Sequence, residues 1–124
     1  MRNLNLNKMM AEVFTFSLVF YSQTFAGSCG SNCTYTIDAD GNVIVSGTWT
    51  FTGLESGDKA NAANVVIGNG ITGLGSYPLN GINLNSVAIP TSVSDIAYRA
   101  FWDSRKLENL NIMGQNINVG NQAF

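Results

Sequence analysis

The segment VAIPTSVSDIAYRAF, Val87 to Phe101, returns one period later as LNIMGQNINVGNQAF, Leu110 to Phe124, with the same apolar rhythm. Val87 falls on Leu110, Ile89 on Ile112, Ile96 on Val119, Ala100 on Ala123 and Phe101 on Phe124. An earlier copy, VVIGNGITGLGSYPL, is in phase one period before, with a slightly shorter loop: Val65, Ile67, Ile71, Leu74 and Leu79 precede Val87, Ile89, Val93, Ile96 and Phe101. A period of about 23 residues constrains the fold more than any single residue does. Each copy is too small to bury its own apolar face, so the copies must stack on one another as a solenoid.

The spacing inside each copy narrows the choice. Leu84-Asn85-Ser86-Val87-Ala88-Ile89 and Leu107-Glu108-Asn109-Leu110-Asn111-Ile112 follow L-x-x-L-x-L with apolar substitutes, the strand segment of a leucine-rich repeat. Side chains alternate along a strand, so Val87, Ile89, Leu110 and Ile112 point into the core, while Ser86, Ala88, Asn109 and Asn111 point out. Turn signals follow each strand at Gly68-Asn69-Gly70, Pro90-Thr91-Ser92 and Gly114-Gln115-Asn116. The segment from Ile96 to Trp102 is then expected to run extended into a single helical turn, with Phe101 buried as the largest plug of its coil. Phe124 is expected to do the same one coil on.

These residues resemble the BspA-like leucine-rich repeat family of bacterial and protist surface proteins, whose unit looks like L-x-S-V-x-I-P-x-S-V-x-x-I-x-x-x-A-F. Leu84, Ser86, Val87, Ile89, Pro90, Ser92, Val93, Ile96, Ala100 and Phe101 match it position by position. The stretch SCGSNCTYTIDADGNVIVSGTW, Ser28 to Trp49, is similar to the segment that opens such proteins before their repeats. The family's Cys after Ala-Phe is missing, since Trp102-Asp103-Ser104 stands there, and Leu54 to Asn64 match nothing in the pattern. The resemblance implies a non-catalytic, secreted or cell-surface protein that mediates adhesion to host cells and extracellular matrix.

The N-terminus supports export. Arg2 and Lys8 precede an apolar run from Val13 to Tyr21, and Ser22-Gln23-Thr24-Phe25-Ala26 ends in small residues suited to signal peptidase, so cleavage is expected between Ala26 and Gly27. The run is too short for a membrane span, which needs about 20 residues. Cys29 and Cys33 would then meet an oxidising compartment. A disulfide between them would stiffen the N-terminal edge; free or intermolecular thiols are the alternative. Asn32-Cys33-Thr34 is an N-glycosylation sequon.

Tyr35 and Ile37 alternate with polar residues, Asp38-Ala39-Asp40-Gly41-Asn42 breaks the run, and Val43, Val45, Gly47, Trp49 and Phe51 resume it. Two alternating runs around Asp-Gly predict a β-hairpin. Trp49 and Phe51, on one face of it, would cover the apolar face and strand edge of the first coil. Asp-x-Asp-Gly also opens calcium loops, but the twelfth position, where such a loop needs Glu, holds Trp49. The chain therefore divides into a signal peptide over 1–26, a hairpin cap over 27–64 and repeats over 65–124, two complete and a third truncated.

Several function classes are excluded. Without its leader the chain keeps only Lys59, Arg99, Arg105 and Lys106 as cations against seven carboxylates, too few to neutralise phosphates in a nucleic-acid binder. It has no His, and Asp58, Asp95, Asp103 and Glu108 are scattered, so no general base or nucleophile pair is apparent. No metal or other cofactor is expected, because two thiolates leave zinc short of ligands. What remains is binding. Strands stacked about 4.8 Å apart align Asn64, Ser86 and Asn109 beside Val66, Ala88 and Asn111, with Gly68, Pro90 and Met113 at the rim. This concave strand face is the candidate site for an extracellular protein or host-surface ligand. The alternative is a structural or self-assembling surface protein, or a fragment of a longer repeat protein, because the last copy leaves an open edge suited to self-association.

Overall fold

The computed structural model describes residues 24–124 apart from 77 and 80–82. Strands β1 (Thr24–Gly30), β2 (Cys33–Asp38) and β3 (Asn42–Gly47) form an antiparallel meander, held at the Asp38–Asn42 turn that the hairpin motif predicts. Asp38 shapes that turn by accepting the Asp40 and Asn42 backbone N–H groups on one carboxylate oxygen, both at 2.9 Å.

From β3 onward the chain coils. β3 pairs in parallel with β5 (Asn64–Ile67), β5 with β7 (Ser86–Ile89), and β7 with β9 (Asn109–Ile112). Between these rungs, β4 (Trp49–Phe51), β6 (Ile71–Leu74), β8 (Asp95–Ile96) and β10 (Asn118–Val119) stack in parallel as a second sheet. The result is a β-solenoid with an N-terminal hairpin. β3 belongs to both parts, so the parallel stack begins one coil before Val65.

The core lies between the sheets. Val43, Val65 and Val87 form one buried row, Val45, Ile67 and Ile89 a second, and Phe51, Leu74 and Ile96 a third from the opposite wall. Phe101 is buried as the spacing predicts.

Four expectations change. Trp49 and Phe51 do not share a face: Phe51 is buried, whereas Trp49 has φ +76° and is 65% exposed. The alternation breaks at Gly47, where φ is +116° and the chain leaves the first sheet for the second. A Cβ there would lie 2.0 Å from the Asn32 carbonyl oxygen, so the crossing requires glycine. Second, the segment after Ile96 forms turns instead of a helical turn; the helix among the described residues is α1 (Ser56–Lys59), in the stretch that matched no repeat. Third, Phe124 stacks on Phe101 with centroids 5.1 Å apart yet stays half exposed, and Leu110, in register with Val87, is also exposed. No described residue covers them from the far side. Fourth, Pro90 is buried instead of standing at a rim.

The assigned leader lies mostly outside the described residues, but Thr24, Phe25 and Ala26 pair with Asp38, Ile37 and Thr36 as the first part of β1. The expected cleavage after Ala26 would leave the Gly27–Gly30 portion of that strand.

Candidate binding face

The outer face of the six-stranded sheet carries three rows across the strands. The first is Asp38, Asn42, Asn64, Ser86 and Asn109; the second is Ala26, Thr36, Ile44, Val66, Ala88 and Asn111. The third brings Ser28, Thr34 and Ser46 together, and Met113 follows β9 on that side. The stacked register thus assembles Asn64, Val66, Ser86, Ala88, Asn109 and Asn111 as the alternation predicts. Asn42 and Ile44 extend the rows by one rung, a position that the hairpin pattern of β3 does not signal.

The first row is largely self-satisfied. Asn42 Nδ2 donates to Asp38 Oδ2 at 3.0 Å, Asn64 Nδ2 to Asn42 Oδ1 at 2.9 Å, and Ser86 Oγ to Asn64 Oδ1 at 2.8 Å. The Asn42 backbone N–H, and then its side chain, hold the Asp38 carboxyl below the usual carboxylate range. Amides committed to a ladder along the stack have less hydrogen-bonding capacity for a partner. The second row differs: Ile44 is 54% and Val66 49% exposed, side by side, with short side chains around them. Across all these rows the sole charge is Asp38.

The family model for the BspA type leucine rich repeat region (6 copies) matches residues 55–124, more than half of the chain. The chain belongs to the BspA-type leucine-rich repeat family. It is also similar to a solved leucine-rich repeat protein from Eubacterium ventriosum ATCC 27560, with a TM-score of 0.68 and 22% identity over 79% of this chain. It spans 28% of that protein's length. No curated protein matches significantly.

Outside the repeats, Cys29 and Cys33 are bonded as a disulfide, and both are buried. Asn32 sits exposed in the turn they close, with φ +53°. The carboxylates do not converge: among the described residues no group of three or more His, Cys, Asp or Glu could hold a metal ion. Asp58, one of the scattered carboxylates, is buried and accepts a hydrogen bond from the Tyr35 hydroxyl. Its role in this BspA-type chain is to tie the α1 segment to the meander.

Proposed function

We propose that this chain is the repeat-bearing part of a secreted or cell-surface adhesion protein, which holds an extracellular or host-surface protein on its six-stranded face. The observation that carries the reading is the exposed Ile44–Val66 pair in the middle of a short-chained surface whose rows carry a single charge, Asp38. Exposed apolar patches bordered by polar residues are where protein partners dock. Ala88, Asn111 and Met113 continue the surface toward β9, and Asn64, Ser86 and Asn109 border it. Membership of the BspA-type family supports a binding role over a catalytic one.

The test is binding of the secreted chain to host cells and matrix proteins before and after Val66→Glu and Asn111→Lys. A drop of at least about tenfold, typical when a central contact is lost, is expected. Unchanged binding in both variants retires the face. Because the face is nearly uncharged, binding should also vary little between low and physiological salt.

A second reading, self-assembly, rests on the fourth coil. Leu110, Val119 and Phe124 are exposed where Val87, Ile96 and Phe101 are buried one coil earlier. Such a surface suits a further coil or a second molecule. Sedimentation velocity over a hundredfold concentration range separates the readings: a monomer throughout removes self-assembly.

A further inference from the structure

The return segment between β8 and β9 carries a second surface, chemically unlike the strand face. Trp102 and Tyr98 are 43% and 38% exposed, and the Arg99 guanidinium lies over both rings, 4.9 Å from each centroid. Arg99 Nε donates to Gln122 Oε1 at 2.5 Å. Both residues adopt left-handed backbone, φ +53° and +56°, at the same turn of successive coils, which stacks one side chain over the other. Asp103, also left-handed at φ +65°, is paired with Arg105 beside the cluster.

We propose that Trp102, Tyr98, Arg99 and Gln122 form a saccharide-binding site separate from the strand face. An aromatic ring presents a face of negative partial charge, which suits the C–H-rich face of a pyranose ring. The guanidinium lies over both rings and ties them to each other. Gln122 Oε1 is taken by Arg99 and Asp103 Oδ1 by Arg105, so Gln122 Nε2 and Asp103 Oδ2 are the donor and acceptor offered to sugar hydroxyls. Size favours a sugar over a protein partner: a stable protein interface needs about 800 Å² on each side, far more than a platform of a few side chains offers. The small number of cations disfavours a stacked nucleic-acid base, whose strand needs phosphate neutralisation.

The experiment is titration of the isotope-labelled full chain with cellotriose, chitotriose and 3′-sialyllactose, following backbone amide shifts by NMR. The first two probes are neutral and the third acidic, so the series also tells which kind of sugar is taken. Saturable shifts confined to residues 97–104 and 121–124 are expected with at least one probe, weakened at least tenfold by Trp102→Ala and by Tyr98→Ala. Each residue is partly covered, so the melting curves of both variants are recorded first, and the two substitutions guard against one of them failing to fold. No saturable shift with any probe up to 10 mM (about −2.7 kcal/mol), shifts located elsewhere, or undiminished binding in the folded variants would each overturn the assignment.

Discussion

The Tyr35 hydroxyl donates to Asp58 Oδ2 at 2.5 Å, joining the meander to the α1 segment of the first coil. The Glu55 backbone N–H donates to the same hydroxyl at 3.1 Å, and Glu55 Oε2 accepts the Ser28 N–H at 2.8 Å. Gly27 makes room for the ring, because a Cβ there would lie 2.4 Å from Tyr35 Cζ. Two strands and a helix thus meet at one phenol.

Tyr35→Phe removes a donor from a buried carboxylate, and a loss of about 2 kcal/mol in urea unfolding is expected. Burial, followed by the hydrogen bond to Asp58, raises the tyrosine's pKa far above the value near 10 of an unfolded chain. The folded state therefore keeps a proton that the unfolded state releases. Stability from this group is fully present below about pH 10 and falls as the pH rises beyond it. The alkaline decline should be shallower in Tyr35→Phe, as read from urea midpoints between pH 8 and 11.

Gly47→Ala places a methyl group against the Asn32 carbonyl in a backbone region hostile to side chains. A destabilisation of at least about 2 kcal/mol is expected, combining strain and collision. An unaltered thermal midpoint would mean that the crossing between sheets does not depend on this glycine.

Ile96 and Val119 occupy one row in register, but Ile96 is 1% exposed and Val119 54%. Ile96→Ala should cost about 2–5 kcal/mol. Val119→Ala should stay within about 0.5 kcal/mol, as for other exposed positions. Equal losses in urea melts of the two variants would mean that the fourth coil is covered in solution.

Replacing Cys29 and Cys33 together by Ser opens a small loop of sequence separation four. Loop-closure entropy then predicts a loss of about 2 kcal/mol. The same loss should follow reduction of the parent chain by dithiothreitol, measured by the shift in urea midpoint.

The repeat period determined the solenoid, its parallel rungs and the rows of outward side chains. An apolar residue recurring once per coil can be buried along its whole row only by stacking on its own equivalents, so Val65 and Val87 fixed the register. Alternation gave the outward positions for the same reason. Tertiary structure alone decided the rest. Val43, Val45 and Phe51 alternate as one strand would, yet the chain crosses between the sheets at Gly47, where φ is +116° and any Cβ would meet the Asn32 carbonyl oxygen, and beyond it Trp49 faces outward and β4 joins the other sheet. Tyr35 meets Asp58 across a stretch that contains no repeat signal, because their pairing depends on where a hairpin and a short helix come together in space. Leu110 and Phe124 carry the same pattern as their buried equivalents, but burial depends on what lies beyond a residue as well as on the residue itself. A local pattern specifies which side of the chain is apolar; only the assembled neighbours determine whether that side is covered.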